Sequence, residues 1–484
     1  MQALAQKLKN AGPIGFSLFA GLAGFCAYFS MYAFRKPFSA ATFEGVEGWA
    51  FVLDYKVALV IAQVIGYALS KWIGVKVIAE ADGQGRGRAI LMLIGASWLA
   101  LVAFALIPAP WNVAALFFNG LPLGLIWGLV FAYMEGRRVS DVLGAVLCAS
   151  FILSSGVVKA VGKLLLQAGV SDLWMPAAAG MVFMPLLLIS VWGLAQLPGP
   201  SADDERERIR RAPMNKDDRR RFLADYGLGL AALIAAYVLF TSFRDFRDNF
   251  SAEVWEAVGY GDAAGVFAAS ELPVAVIVLI VLGSLILIRD NRRALMVMHG
   301  VVIAGAALIG LSTLAFQAEL VSALTWMILS GAGLYMAYTP FNAMLFDRML
   351  AATRRVGTAG FLIYVADASG YIGSVVLLLY RSFAAPQLDW LQFFIGAAYA
   401  SAAASLVLTL ASALYFGRKL GRKHQAQTIQ AAPDAAAPDH LKSGRDVQID
   451  LHAQGVVAPV FVVVFDDTPG RVKAGADDQK ARRA

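Results

Sequence analysis

The chain has 484 residues, 59% of them hydrophobic and only 15% charged, with a mean hydropathy of +0.64 and a net charge of +7. A soluble fold of this length needs about one charged residue in four, so a soluble protein is excluded. The charges are clustered, and between them lie apolar runs of about 20 residues, each long enough to cross a ~30 Å hydrocarbon layer. Backbone groups in lipid must be paired within the segment, so these runs are expected to be helices. Barrel strands would be shorter and would alternate in polarity. The excess of Lys and Arg lies in the connections, which is a topology signal and not a nucleic-acid footprint. Cys26 and Cys148 fall inside apolar runs and offer no disulfide framework. The four histidines are scattered and make no metal cluster. No nucleophile–base constellation or nucleotide loop is visible, so neither an enzyme nor a bound cofactor or metal is expected.

In chain order, residues 1–10 carry Lys7 and Lys9 and lead into a run too long for a signal peptide. Candidate spans are 14–37, 54–79, 87–108, 111–134, 141–168 and 173–196, then 225–247, 262–288, 293–316, 319–345, 356–381 and 388–416. A charged segment, PGPSADDERERIRRAPMNKDDRRRF at 198–222, separates the sets. The expected organisation is a six-helix half at 1–197, the linker at 198–222, a second half at 223–416 and a largely disordered tail at 417–484. Within the tail, GVVAPVFVVVFDD is the one stretch suited to a strand. Alternate connections hold Lys76, Arg86 and Arg88, then Arg137 and Arg138, then Arg289, Arg292 and Arg293, then Arg348, Arg354 and Arg355. The opposite loops, such as IPAPWN and FQAELVSA, hold none. This bias predicts a multi-pass protein of the cell inner membrane with both termini cytoplasmic.

The two sets contain an internal repeat. Residues 33–46 read AFRKPFSAATFEGV and residues 245–258 read DFRDNFSAEVWEAV. Weaker echoes pair GRGRAIL (85–91) with DNRRALM (290–296), and Ser155-Gly156 with Ser369-Gly370. A doubled six-helix unit is what the major facilitator architecture requires. The expected fold is therefore an all-α membrane protein of twelve helices in two pseudo-symmetric halves.

Arg35 and Arg247 take equivalent places on the first helix of each half. Helix 1 is expected to continue past Arg35, which would place that arginine well inside the membrane. An arginine there costs roughly 2.5–3.5 kcal/mol unless it faces a cavity or a partner. A pair of such guanidinium groups could converge on one small anion. The alternative is a surface charge network with Lys36, Asp245 and Asp248. Tyr28 and Tyr32 share the helical face of Arg35, and helix 2 adds Tyr67 and Lys71.

At these residues the sequence resembles the organophosphate:phosphate antiporters of the major facilitator superfamily, glycerol-3-phosphate transporters among them. GFCAYFSMYAFRKPF carries the family's aromatic stripe into an Arg-Lys pair, with Tyr28, Tyr32, Arg35 and Lys36 in register. YALSK supplies Tyr67 and Lys71. The resemblance implies a second substrate arginine on helix 7, Arg247 by the repeat or Arg244 by a slipped alignment. It also implies an intramembrane acid on helix 8, Glu271. The chain departs from the pattern on helix 5, where Ser150, Lys159 and Lys163 stand in place of the family's histidine. It departs on helix 11 as well, where Asp367 lies beside Tyr364.

Three functions fit. The first is a monomeric transporter of a small anionic solute, coupled to phosphate or to protons, with Glu271 and Asp367 as counter-ions or proton carriers. The second is a transporter of a non-phosphorylated solute. The third is a transport-inactive membrane sensor of the same fold.

Overall fold

Twelve long helices form from the apolar runs. In this computed structural model the described residues are 6–8, 12–80, 85–134, 140–199, 216–353 and 359–430. The side chain of Tyr364, most of the charged linker and the strand-suited stretch of the tail lie outside the described residues. The helices are α1 (Pro13–Tyr32), α2 (Tyr55–Glu80), α3 (Arg86–Leu106), α4 (Val113–Phe131), α5 (Ser140–Gln167) and α6 (Met175–Ala195). After the linker come α7 (Lys216–Asn249), α8 (Val266–Ile286), α9 (Asn291–Gln317), α10 (Ala323–Pro340), α11 (Ala359–Leu379) and α12 (Trp390–Gln430). Among the described residues, nine of these are long and apolar enough to cross a membrane by length and composition.

Local signals set the helix ends. Pro13 occupies the first turn of α1, where its missing N–H costs nothing. The Asp290 carboxylate accepts from the Arg293 amide at the start of α9, and Ser322 accepts from Thr325 at the start of α10.

Several boundaries differ from the sequence expectation: α7 begins at Lys216, within the segment read as linker, and two other differences bear on the interior. Helix α1 stops at Tyr32 and does not run past Arg35; residues 33–36 turn, and Pro37–Ala40 form one 3₁₀ turn. Pro37 has no N–H and disfavours continued helix in the residue before it. The matching position in the second repeat is Asn249, and there α7 stays helical to Asn249 before a short helix, Ser251–Ala257. At the other end, α12 continues to Gln430, beyond the boundary expected at 416. Phe416 and Leu420, one turn apart, are buried there, and Lys419 donates to the Asp225 carbonyl.

Helices before the linker pack mainly on one another, α2 on α4, α3 on α4 and α6, and α1 on α5 and α6. Those after it do the same, α9 on α10, α8 on α10 and α7 on α11. The two sets meet where α5 crosses α8 and α2 crosses α11. Close approach depends on glycine: a Cβ on Gly66 would lie 2.2 Å from the Phe117 carbonyl oxygen, and one on Gly156 would lie 2.4 Å from that of Phe267.

The polarity is that of a membrane body. Ile14, Leu18 and Leu22 are exposed along one face of α1, and Leu272, Val276 and Ile280 along one face of α8. The interior holds Arg35, Lys36, Lys56, Lys159, Asp245, Arg247, Asp248, Glu253, Glu271 and Asp367, all buried.

Candidate functional site

The carbonyls of Ser30, Met31 and Tyr32 at the end of α1 accept from the amides of residues 33–36, so it is the carbonyls of the turn itself that need partners from elsewhere. The Asn119 side-chain amide on α4 donates to the Phe34 carbonyl (2.9 Å), and the Gln63 amide on α2 donates to the Arg35 carbonyl (3.0 Å). Gln63 also donates to Asn119 (2.7 Å), and Asn119 donates to Ser97 of α3 (2.6 Å). Three helices, α2, α3 and α4, thus fix the turn that carries Arg35.

From that turn the Arg35 guanidinium reaches along α2 and lies 3.9 Å from the centre of the Tyr67 ring, with Tyr32 at 5.9 Å. Tyr67 is twelve residues into α2, about 18 Å from its start at 1.5 Å per residue. Arg35 is buried, its Nε has no hydrogen-bond partner, and among the described residues no carboxylate lies within ion-pair distance of it. Tyr28 packs edge-on against both Tyr32 and Trp127 and completes that wall.

One turn further along α2, Lys71 lies 5.6 Å from the Tyr67 ring and pairs with Asp367 of α11 at 2.5 Å. The other oxygen of Asp367 accepts from the Tyr237 hydroxyl. Tyr371, one turn from Asp367, stacks edge-on against Tyr67 across the two helix sets. Tyr237 stacks on Tyr338 of α10, and the Arg244 guanidinium lies 4.4 Å from the Tyr338 ring. Arg244 pairs with its neighbour Asp245 at 2.6 Å, and Asp245 also accepts from Ser374. Tyr32 and Tyr371 are within electrostatic reach of both Arg35 and Arg244. The result is a cluster of tyrosines, hereafter the chamber, with Arg35 and Lys71 on one side and Arg244 on the other. Against them stand Asp245 and Asp367, which leaves an excess of one positive charge.

Arg247, expected to face Arg35, is placed elsewhere. It pairs with Glu271 at 2.6 Å, donates to the Met327 carbonyl at 3.0 Å and lies against Gly331. None of these touches Arg35. The repeat aligns Arg247 with Arg35 in sequence, but Pro37 takes Arg35 out of helical geometry while Arg247 stays in it. Of the two candidates on α7, Arg244 is the one turned to the tyrosines. Glu271 serves as the partner of Arg247 beside Gly156 of α5.

Lys36 and Lys159 also lie outside the chamber. Lys36 pairs with Asp248 at 2.6 Å and donates to Asn249, so equivalent positions of the two repeats meet. Lys159 binds Asp248 and Ser251, each at 3.0 Å, and Ser155 also donates to Asp248. Lys56 pairs with Glu253 at 2.5 Å. This end of the bundle is held by buried ion pairs between the two sets.

Sequence reasoning passed over Gln63 and Asn119, Tyr237, Tyr338 and Tyr371, and the Lys56–Glu253 pair. A single uncharged polar residue within an apolar span, as at Gln63 and Asn119, was the available signal.

Comparison with known proteins adds the following. A family model described as a family of unknown function (DUF5690) matches residues 37–419. No curated protein matches the sequence. The crystal structure of a D-xylose-proton symporter superposes with a TM-score of 0.57 at 13% identity, covering 83% of this chain and 97% of that one. A bacterial homologue of the human drug peptide transporters PepT1 and PepT2 gives 0.52 at 15%, covering 83% and 98%. At such identities the likeness speaks for the fold alone. The chain belongs to this family of unknown function, and its fold is that of the major facilitator membrane proteins.

Proposed function

We propose that the protein is a secondary transporter that binds a small anionic solute between Arg35 and Lys71, before the linker, and Arg244, after it. The observation that carries this reading is Arg35: a buried guanidinium on a turn held by Gln63 and Asn119, with no carboxylate within ion-pair distance among the described residues and Asp245 reaching it only from farther off. Burying such a charge is costly unless an anion comes to it. A planar fork stacked on a tyrosine is suited to a phosphate or carboxylate head. Cations from both helix sets let a bound anion draw the sets together, as alternating access requires.

In this reading the halves are α1–α6 and α7–α12, joined by the charged segment between Ala195 and Lys216. The Lys/Arg-rich connections and both termini face the cytoplasm, and the Lys36 end faces outward. The protein works as a monomer in the inner membrane. A second reading, a neutral polyhydroxy solute, is favoured by the tyrosine hydroxyls that line the chamber.

The test is binding and counterflow in proteoliposomes with labelled inorganic phosphate, a short phosphomonoester, a dicarboxylate and a neutral sugar. Exchange of an anion, with binding weakened on the order of 100-fold by Arg35→Ala, is the expected result. Uptake of the sugar with the anions inert would support the second reading. Binding without exchange would identify a sensor.

A further inference from the structure

The tyrosines of the chamber continue into a chain of rings that leaves one cation and returns to another. Tyr32 lies 5.9 Å from the Arg35 guanidinium and packs on Tyr28 at 5.6 Å, and Tyr28 packs on Trp127 of α4 at 5.0 Å. Trp127 meets Phe151 of α5 at 6.3 Å. Phe151 then crosses to the other helix set, where it meets Tyr335 at 6.1 Å and Tyr338 at 6.4 Å. Tyr338 carries the Arg244 guanidinium 4.4 Å from its ring centre. Four helices, α1, α4, α5 and α10, thus contribute rings to one aromatic surface between Arg35 and Arg244.

Where this surface crosses between the sets, the packing is loose. Aromatic pairs hold at centroid distances of about 4.5–7 Å, and the crossing pairs at Phe151 lie toward the long end. Rings within one set can sit closer, at 4.1 Å for Phe316–Trp326 and 4.4 Å for Phe250–Trp390. Trp127, although set between Tyr28 and Phe151, is only half-buried, as is Phe131, which stacks parallel to it. Free aromatic surface therefore lies next to the charged groups.

The charge balance selects the head of the solute. Arg35, Lys71 and Arg244 stand against Asp245 and Asp367, an excess of one positive charge among the described residues. A single negative charge brings the chamber to neutrality. A dianion would leave a surplus negative charge in a buried place, where an unpartnered charge is costly. The rings select the body. The electron-poor edge of a flat aromatic ring can meet the electron-rich faces of Trp127 and Phe151, a contact that an aliphatic body of the same size does not offer.

We propose that the solute is a planar aromatic monocarboxylate, with its carboxylate between Arg35 and Arg244 and its ring against Trp127, Phe151 and Tyr338. Head and body then each touch both helix sets, so one small molecule draws the sets together at two points.

This names the chemistry of the anion and rests on the anion reading above; the experiment separates the two. Calorimetry on the purified full chain gives affinities for benzoate, cyclohexanecarboxylate, phthalate and inorganic phosphate. Benzoate and cyclohexanecarboxylate carry the same charge on bodies of similar size, but only benzoate is flat and aromatic. Benzoate should bind about tenfold more tightly than cyclohexanecarboxylate. It should also bind more tightly than phthalate, which adds a second charge to the same ring, and than phosphate. Trp127→Leu should bring benzoate and cyclohexanecarboxylate close to equal, while Arg35→Ala should weaken both. Three results would each overturn the aromatic monocarboxylate and leave the anion site standing: cyclohexanecarboxylate as tight as benzoate, phthalate or phosphate tighter than benzoate, or an unchanged benzoate preference in Trp127→Leu. Binding of none of the four anions, or benzoate binding that survives Arg35→Ala undiminished, would bring down both. If Trp127→Leu does not fold, Phe151→Leu replaces it, and if neither folds, the wild-type order of affinities decides alone.

Discussion

The two charged regions of the interior use the same residue types to opposite effect. At the Lys36 end, among the described residues, the three buried lysines each have a carboxylate: Lys36 and Lys159 share Asp248, and Lys56 holds Glu253. In the chamber the groups are arranged around tyrosine rings, and among the described residues Arg35 has no ion-pair partner. Burial alone therefore does not mark a binding site, since both regions are buried. What separates them is whether the protein supplies the counter-charge. A saturated network holds helices together, while an unsaturated one waits for something to arrive.

The largest effect should come from the saturated region. Asp248→Asn would strand two buried ammonium groups, and removing one partner of a buried pair costs about 3–5 kcal/mol. We expect a large loss of thermal stability in detergent-purified protein, with anion binding intact in whatever remains folded. A stable variant that has lost anion binding would mean that Asp248 belongs to the chamber, and the comparison would fail.

Next in size is Arg247. Its removal strands Glu271 alone, so Arg247→Gln should destabilise by about 3 kcal/mol. Arg247→Gln with Glu271→Gln should recover most of that loss, since both charges are gone. Arg244→Gln strands Asp245 in the same way and should also cost stability, but of the two it alone should weaken anion binding, by on the order of tenfold. Measured together, affinity should separate the two arginines where melting temperature does not. If Arg247 controls affinity and Arg244 does not, the repeat-based pairing of Arg35 with Arg247 regains the argument.

These arginines show what the sequence could and could not disclose. Apolar runs of membrane-spanning length and the alternation of Lys/Arg-rich connections made the twelve-helix fold legible, because lipid imposes both. The repeat located the interface of the two sets: Lys36 and Asp248, equivalent in the repeat, touch. It could not orient the arginines, because orientation follows backbone geometry, and Pro37 against Asn249 makes the two backbones differ. Pro37 was in plain view, yet the run of apolar residues after it suggested more helix. Tyr67 lies against the Arg35 guanidinium, with Lys71 one turn further along α2. The Lys56–Glu253 pair joins residues 197 positions apart, and nothing local in the chain announces it.

The smallest effect should come from the support beneath Arg35. Asn119 donates to the Phe34 carbonyl and to Ser97 and accepts from Gln63, so it closes the end of α1 without touching the guanidinium. Asn119→Leu removes the donor and leaves the Phe34 carbonyl and one Gln63 amide hydrogen unsatisfied, which costs about 1–3 kcal/mol. Since Gln63 still holds the Arg35 carbonyl, the turn should loosen without collapsing. The expected outcome is a modest drop in melting temperature together with a several-fold loss of anion affinity. Asn119→Asp is the sharper control, because it keeps the acceptor for Gln63 but loses the donor and brings a carboxylate near Arg35. If the chamber recruits anions because Arg35 lacks a counter-charge, that carboxylate should compete with the ligand, and Asn119→Asp should bind anion more weakly than Asn119→Leu. Equal affinity in the two variants would mean that the unpaired state of Arg35 is not what draws the anion.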